Sequence, residues 1–286
     1  MNDTIEIIGE GSVIQHGKEN DRIYLMSLKG DASVTIDKIK ELAKSNGYSK
    51  IFCKIPKSTA PVFFANGYLL EAYIPKFYNK QEDVFFVSKF LNSDRLLNIE
   101  KAQLLSLNNL LSNKLERKAK KAEKGYKTRR LDKSDVEQIT QIYQDVFVTY
   151  PFPIHNPGYI LKTMEENIQY YGVEKDGKLV ALSSAEKDIN GGNAEMTDFA
   201  TLSSHLGNNL SGLLLYIMEN EMEKQGIKTL YTIARLDSIP MNKTFLRFGY
   251  EYSGTLIKNT NIAGKIESMN VYYKHLSNAS IYMSIY

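Results

Sequence analysis

The sequence predicts an α/β protein that contains two related domains. In its second half the expected order is strand, two helices, three strands, helix, strand, helix and two strands, which is typical of a mixed sheet with helices packed on it. A shorter version of this order occurs in the first half. The chain has 286 residues, which leaves room for both units because domains average roughly 150 residues.

Each element of the second half has its own signal. Ser134 can cap a helix whose apolar residues recur at helical spacing from Val136 to Phe147. Asp176-Gly177 and Gly191-Gly192 are typical of tight turns between strands. The expected strands are 127–131, 170–174, 179–186, 194–202, 228–234, 250–257 and 267–275, and the expected helices are 134–147, 159–167, 208–225 and 240–247.

An internal repeat indicates how the two halves are related. Residues 226–230 read GIKTL and are followed by FLRFGY at 245–250. Residues 47–51 read GYSKI and are followed by FFANGY at 63–68. We therefore expect residues 1–93 to form a shortened relative of a catalytic domain at 124–275, with a tail at 276–286.

A leucine-rich and then basic segment joins the two halves. Leucines recur at helical spacing before residue 116, so 94–123 is expected to be an amphipathic connecting helix. Residues 114–130 hold nine basic and two acidic side chains. This run is either a solvated helix face or a contact for an anion such as a nucleotide phosphate. Nucleic acid is the weakest alternative, because no interleaved aromatic residues accompany the charge.

Composition excludes several classes of protein. A hydrophobic content of 43% and a net charge of +3 argue against a disordered chain and against nucleic acid as the default partner. Cys53 is the single cysteine, and the four histidines share no ligand spacing, so no disulfide and no metal are expected. The acidic N-terminus and short apolar runs predict a cytoplasmic protein without a membrane partner. The oligomeric state stays open, with a homodimer among the alternatives.

The turn at 207–209 is the strongest local signal for a ligand. Gly207, Asn208 and Asn209 begin a helix, and the N–H groups at a helix start are suited to phosphate. Ser211 adds a hydroxyl close by. An ordinary helix start would have the same pattern, so the turn alone leaves both interpretations open.

In its context this turn resembles the GNAT N-acetyltransferase superfamily. The GNAT phosphate loop, Arg/Gln-x-x-Gly-x-Gly/Ala, aligns with Leu206-Gly207-Asn208-Asn209-Leu210-Ser211. Three positions depart from the pattern: Leu206 replaces the basic or amide residue, Asn209 the middle glycine, and Ser211 the last small residue. The resemblance implies the GNAT fold, a strongly twisted mixed sheet flanked by helices, preceded by a smaller GNAT-like N-terminal domain.

Longer segments resemble the beta-lysine N-acetyltransferase family over nearly the whole chain. These segments are 150–154, 193–202, 254–256, 259–264 and 267–274. The resemblance implies transfer of the acetyl group of acetyl-CoA to the terminal (N6) amine of beta-lysine. The product, N-epsilon-acetyl-beta-lysine, is a compatible solute that accumulates under salt stress.

Two carboxylates are candidates for the general base. An ammonium must lose a proton before its nitrogen can attack a thioester, and Glu195 and Asp198 lie on the strand that would hold the cofactor. Residues three apart on an ideal strand point to opposite faces, so only one should face the substrate unless a bulge re-aims the other. Glu195 is the first candidate and Asp198 the second. Either side chain would otherwise be a strand-end carboxylate satisfied by solvent or a threonine.

The resemblance also implies the cofactor contacts. The backbone at Phe199, Ala200 and Thr201 would pair with the pantetheine arm, and the loop from Gly207 to Ser211, with Asn208, Asn209 and Leu210, would hold the phosphates. Many GNAT enzymes place a tyrosine where this sequence has Phe245. The acid that protonates the leaving thiolate is therefore unassigned.

A beta-lysine site needs an apolar wall and polar groups for two amines and a carboxylate. Tyr150 and Phe152 are candidates for the wall, with core packing as the alternative. The polar candidates from the C-terminal hairpin, each also compatible with turn or strand-edge bonding, are Asn259, Glu267, Ser268 and Asn270.

No cysteine nucleophile or Gly-x-Ser-x-Gly motif occurs, which favours direct transfer in a ternary complex. Two other functions remain open. One is acetylation of another amine, such as a polyamine, lysine or a protein lysine. The other is a catalytically silent regulator that binds acyl-CoA.

Overall fold

The computed structural model describes residues 3–113 and 125–276, which form two sheets. The N-terminal sheet has six strands in the order β1-β2-β3-β4-β6-β5. Its strands are β1 (Thr4–Ile8), β2 (Ser12–Gly17), β3 (Arg22–Ser27), β4 (Lys50–Pro56), β5 (Leu69–Tyr78) and β6 (Glu82–Phe90), and its helices are α1 (Ala32–Asn46) and α2 (Ala60–Ala65).

The C-terminal sheet has seven strands in the order β12-β13-β11-β10-β9-β8-β7. The strands are β7 (Tyr126–Arg130), β8 (Ile168–Lys175), β9 (Lys178–Asp188), β10 (Asn193–Thr201), β11 (Thr229–Arg235), β12 (Glu251–Ile262) and β13 (Lys265–His275). The helices from α3 onward are α3 (Ser93–Leu97), α4 (Lys101–Ser112), α5 (Val136–Val146), α6 (Pro157–Glu166), α7 (Leu210–Lys224) and α8 (Ile239–Arg247). In the described ranges, no helix has the length and apolar content to cross a membrane.

The predicted order of strands and helices in the C-terminal half is confirmed element by element. The connecting segment differs from its prediction, because its described residues form two helices, α3 and α4, instead of one. Asn98, whose backbone is no longer helical, ends α3, and Glu100 precedes α4. Most of the basic run, 114–124, lies outside the described residues, and its last five residues form strand β7. The tail at 277–286 also lies outside them.

The two sheets repeat one topology. Strands β3 and β4 are parallel and are connected by α1, just as β10 and β11 are parallel and are connected by α7. The next two strands then pair antiparallel in swapped order, β4-β6-β5 in one sheet and β11-β13-β12 in the other. Gly47 and Gly226 both end the connecting helix at positive φ, as the glycine repeat predicts. The N-terminal domain is thus a smaller GNAT-like unit.

Helices α1 and α2 cover one face of the N-terminal sheet, and its other face packs on the C-terminal sheet. In the C-terminal sheet α7 covers one face, while α5, α6 and the N-terminal sheet share the opposite face. Helices α1 and α2 bury Ile36 and Phe63 on the N-terminal sheet. Helix α7 buries Leu214 and Met218 on the C-terminal sheet, while α5 and α6 cover β8 and β9. A further core joins the two sheets and contains Tyr24, Phe52, Ile74, Phe77, Phe86, Tyr231, Leu256 and Val271. The interface between the domains is therefore apolar at its centre.

Three buried cations, Lys50 and Arg22 of the N-terminal sheet and Arg95 of α3, bind the backbone of strand β12. Lys50 Nζ donates to the carbonyl of Ile257 at 2.7 Å, and Arg95 Nε donates to the carbonyl of Lys258 at 2.9 Å. Arg22 donates to the carbonyl of Asn259. The β12–β13 register shifts between Leu256 and Thr260, which releases these carbonyls from the ladder. The irregularity in β12 thus supplies the acceptors that fix the two domains together.

Glycine is required where the edge strands β5 and β12 meet. A Cβ atom at Gly254 would lie 2.1 Å from the carbonyl oxygen of Glu71. Ser253 exchanges hydrogen bonds with the backbone of Tyr73 beside it. The two backbones therefore approach closely here, and the approach continues the interface along the sheet edge.

We predict that Lys50→Met lowers the free energy of unfolding by about 3 kcal/mol, because removing one partner of a buried ion pair leaves the other charge uncompensated. Lys50 is 0% exposed and its partner Glu71 5% exposed, at 2.9 Å. Urea unfolding measures the change. Lys57→Met is the matched control: Lys57 is 60% exposed in its pair with Asp83, and we expect a loss below about 1 kcal/mol. Equal losses for both variants would contradict the account.

Candidate active site

Strand β10 is separated from its neighbour β11 along most of its length. The two strands pair only from Asn193 to Glu195, opposite Thr229 to Tyr231. On the other side, two residues of β10, Asp198 and Phe199, lie opposite a single residue of β9, Ser183. Asp198 takes a left-handed backbone conformation there, with φ of 58°. The bulge re-aims Asp198, as the sequence allowed, and the diverging strands open a cleft beside it.

Glu195 lies at the point where the strands diverge. It stands opposite Glu186 in the antiparallel β9–β10 ladder and next to Tyr231 in the parallel β10–β11 ladder. Residues directly opposite on neighbouring strands place their Cβ atoms about 5 Å apart on the same face of the sheet. Tyr231 packs edge-on against Phe77 of the N-terminal sheet, at 5.1 Å between ring centroids. The face that carries Glu195 is therefore the face that the N-terminal domain covers.

The surroundings of Glu195 favour its protonated form. Burial, and after it the like charge of Glu186, raises the pKa of Glu195 to about 7. The charge of Lys54 and the hydroxyl of Tyr231 act in the opposite direction. Burial also raises the pKa of Glu186, which Lys54 counters. A carboxyl group with a pKa near 7 can accept a proton and return it to solvent at neutral pH.

Asp198 has a different environment because three hydroxyl groups donate to it. Ser184 Oγ donates to one carboxylate oxygen at 2.5 Å. The other oxygen accepts from Tyr150 and from Thr197, the latter at 3.2 Å. Burial raises the pKa of Asp198, and these donors lower it. The donors occupy both oxygens, so this carboxylate holds the bulge and the ring of Tyr150 in place.

Tyr150 and Phe152 line one cavity of about 340 Å³. Its walls come from both domains and include Asp3, Glu19 and Asn20 from the N-terminal unit, Val148 to Pro153, His155, Asn156 and Asn261. Its charged lining residues are acidic, apart from His155. Since the Tyr150 hydroxyl donates to Asp198, the cavity adjoins the bulge of β10.

The turn before α7 has the geometry of an anion-binding loop. Gly207 has φ of 85° and Asn209 has φ of 57°. Asn tolerates this left-handed conformation better than most residues, which explains why it replaces a glycine. Asn209, the residue that precedes α7, makes no side-chain capping hydrogen bond to the first turn of the helix. In the N-terminal unit, by contrast, the Asp31 side chain accepts from the N–H groups of Ser33 and Val34 at the start of α1.

The remaining predicted cofactor residues surround this turn and the cleft. Ala200 is buried against α5, whereas Phe199 packs edge-on on Phe245, at 5.7 Å between centroids. Thr201 ends β10, and Leu210 anchors α7 in the core. Ser211 lies in the first turn of α7, and Asn208 donates to the carbonyl of His205 at 3.1 Å. Phe245 is buried, and its side chain has no group that could donate a proton.

The polar candidates of the C-terminal hairpin bond to other parts of the structure. Glu267 pairs with Arg235 at 2.9 Å, and Ser268 Oγ donates to Glu100 at 2.7 Å. Asn270 donates to Asn242 at 2.8 Å. Tyr273 lies opposite Tyr231, so Glu267, six residues further along β13, is about 20 Å away along the strand. The structure does not bring these three side chains to Glu195.

Asn259 is buried beneath Arg22. Its backbone carbonyl accepts from Arg22, and its side-chain oxygen is buried without a partner among the described residues. It lies at the interface that β12 makes with the N-terminal unit.

Sequence reasoning missed Glu186, Tyr231 and Lys54. The sequence did contain a signal for Glu186. A hairpin turn at Gly191-Gly192 that pairs Asp188 with Asn193 also places Glu186 opposite Glu195. No comparable signal pointed to Lys54, whose position depends on how the domains dock. No cluster of three His, Cys, Asp or Glu side chains suited to a metal occurs in the described ranges.

Comparisons with known proteins agree with this geometry. Residues 136–250 match the acetyltransferase (GNAT) family. A beta-lysine N(6)-acetyltransferase from Methanococcus maripaludis is 39% identical over 96% of this chain and 99% of its own. A second one, from Methanosarcina mazei, is 30% identical over 83% of this chain and 95% of its own. N-acetyltransferase YodP from Bacillus subtilis is 28% identical over 96% of this chain and 99% of its own.

The fold and the cleft define a GNAT N-acetyltransferase, an enzyme that uses acetyl-CoA as its co-substrate. Within that superfamily the chain belongs to the beta-lysine N(6)-acetyltransferase family.

We predict that Glu195 titrates with a midpoint near pH 7. Carboxyl carbon NMR of protein labelled in glutamate measures it, and Glu195→Gln assigns the resonance by its disappearance. In Glu186→Gln the midpoint moves down, because the like charge opposite Glu195 is gone. A wild-type midpoint at the ordinary value of 4.5 would show that the site is hydrated and would contradict the account.

Proposed function

We propose that this protein transfers the acetyl group of acetyl-CoA to the N6 amine of beta-lysine by direct attack in a ternary complex. The observation that carries the proposal is the half-buried Glu195, which faces the opening between β10 and β11 with a pKa of about 7. The product of this reaction, N-epsilon-acetyl-beta-lysine, would serve as a compatible solute. The curated relatives with the name beta-lysine N(6)-acetyltransferase support the choice of amine.

Glu195 acts as the general base in this proposal. An amine that enters as an ammonium must lose one proton before its nitrogen attacks the thioester carbon. Glu195 has a pKa close to neutrality, so it takes that proton at physiological pH and releases it afterwards. Asp198 is less suited to the task, because Ser184, Tyr150 and Thr197 already donate to its oxygens.

The turn at 207–211 and the free edge of β10 would hold acetyl-CoA. The left-handed residues Gly207 and Asn209 turn the chain so that α7 starts beside the cleft. A helix start of this kind presents N–H groups to phosphate oxygens. Beyond Glu195 the backbone of β10 has no partner in β11, which leaves hydrogen-bonding groups at Phe199, Ala200 and Thr201 for an extended amide chain. The thioester lies in the cleft in this arrangement.

The charges around the site support a diamino acid as substrate. Beta-lysine carries two ammonium groups and one carboxylate, so its net charge is +1. The cavity bounded by Tyr150 and Phe152 carries Asp3 and Glu19, and the adjoining strands carry three further carboxylates, Glu186, Glu195 and Asp198. A cavity surrounded by carboxylates in this way attracts cations. The aromatic rings offer an apolar wall to the methylene groups.

A panel of amines with acetyl-CoA tests the proposed function. We expect kcat/KM for beta-lysine to exceed that for lysine and for polyamines by at least tenfold, with mass spectrometry placing the acetyl group on N6. Equal rates for lysine and beta-lysine would overturn the assignment of the substrate. Binding of acetyl-CoA without turnover on any amine would instead favour the silent regulator.

We predict that Glu195→Gln lowers kcat by about 10²- to 10⁴-fold, the usual contribution of a general base. Acetyl-CoA affinity, measured by calorimetry, stays within about threefold, because the amide keeps the shape of the side chain. In the wild type, kcat/KM falls about tenfold for each pH unit below 7, since the base becomes protonated there. In Glu195→Gln we expect kcat/KM to show no such fall below pH 7.

Glu219→Gln is the matched control for that variant. Glu219 is another carboxylate whose pKa burial raises, but it lies on α7 and pairs with Lys274 at 2.8 Å. We expect this variant to keep the wild-type pH profile. If Glu195→Gln keeps wild-type turnover, Glu195 is not the base.

A further inference from the structure

Lys54 of the N-terminal domain faces the catalytic sheet. Phe52, two residues before Lys54 on β4, lies in the core between the two sheets. Residues two apart on a strand point to the same face, so Lys54 also points toward the C-terminal sheet. Lys54 Nζ donates to the hydroxyl of Tyr231 at 3.4 Å and lies 5.8 Å from the centre of that ring. Tyr231 is the residue beside Glu195 in the sheet. The lysine thus reaches the site from the opposite domain.

The surroundings of Lys54 differ from those of the other cations at this interface. Lys50, Arg22 and Arg95 all donate to carbonyls of β12 or pair with acids at short distance. Lys54 has no carboxylate within 4.0 Å among residues 3–113 and 125–276, and its hydrogen bond to Tyr231 is long. A half-buried ammonium group with a single weak neutral partner is poorly compensated, and an incoming anion would stabilise it.

Two acids lie close enough to Lys54 to be affected by its charge without forming an ion pair with it. Glu186 and Glu195 both experience the positive charge of Lys54. The interface therefore holds a positive group on one wall and two negative groups on the other. An amino acid has the complementary pattern, since its carboxylate and its ammonium groups are separated along the molecule. A simple diamine has no carboxylate that could bind the positive group.

We propose that Lys54 binds the carboxylate of the amine substrate, so that the N-terminal domain selects amino acids over simple amines. This inference rests on the proposed function, and it adds a specificity-determining residue that the sequence motifs do not contain. Glu195 takes the proton of the reacting amine, while Glu186 faces the second ammonium group. The substrate is then held between the two sheets, with its reacting end toward the cleft of β10 and β11.

The test compares two substrates that differ only in the carboxylate. Beta-lysine and pentane-1,4-diamine share the reacting amine, the second amine and the carbon chain between them. For the wild type we expect kcat/KM to be at least tenfold higher with beta-lysine. In Lys54→Met that ratio falls to about one, through a higher KM for beta-lysine and little change for the diamine. Lys54→Arg keeps most of the preference, because it keeps the charge.

Lys57→Met is the control, since Lys57 belongs to the same domain but is exposed and pairs with Asp83 at 3.0 Å. It should keep the wild-type ratio. The inference is overturned if Lys54→Met lowers both substrates equally, if it leaves the ratio unchanged, or if the wild type has no preference. Lysine and pentane-1,5-diamine form a second pair of substrates that differ only in the carboxylate. An enzyme that prefers lysine to beta-lysine refutes the proposed substrate, yet this second pair still tests Lys54.

Discussion

The burial of Glu195 against Glu186 by a second domain is the constraint on which the rest of the structure depends. Two carboxylates directly opposite in a ladder repel each other and lose hydration when a sheet covers them. The N-terminal domain provides that cover, and it also supplies Lys54 and Tyr24 around the pair. The cost of holding this arrangement is offset by an apolar core and by cations bound to the carbonyls of β12. In the proposed mechanism this pair supplies the base, because the pKa of Glu195 lies at about 7.

The covering domain has the same topology as the domain that it covers. Both units keep the crossover in which a helix connects two parallel strands, but the helix starts differ. In the N-terminal unit the Asp31 carboxylate occupies the N–H groups at the start of α1. In the C-terminal unit Asn209 precedes α7 in a left-handed conformation and makes no side-chain capping hydrogen bond to the helix. In the N-terminal unit a side chain thus occupies the start of the connecting helix, and the sheet face without helices docks on the C-terminal domain.

Local signals predicted the fold well, because they depend on neighbouring residues. The turns at Asp176-Gly177 and Gly191-Gly192 and the glycine repeat lie where the sequence placed them, and α7 starts at Leu210, two residues after its predicted start. The site was predicted less completely. The sequence left open whether a bulge re-aims Asp198. The contacts of Glu267 and Asn270 could not be predicted locally, because they depend on Arg235 and Asn242, which are distant in sequence. Lys54 required the docking of two sheets, which no local pattern encodes.

A crystal structure of the complex with CoA and beta-lysine tests most directly whether the amine site lies between the two sheets. The account predicts that the N6 nitrogen lies within hydrogen-bond reach of Glu195, directly or through one water. It places the substrate carboxylate against Lys54 and the CoA phosphates at residues 207–211. A substrate bound to the C-terminal hairpin around Glu267 and Asn270, with Glu195 and Lys54 untouched, would contradict the account.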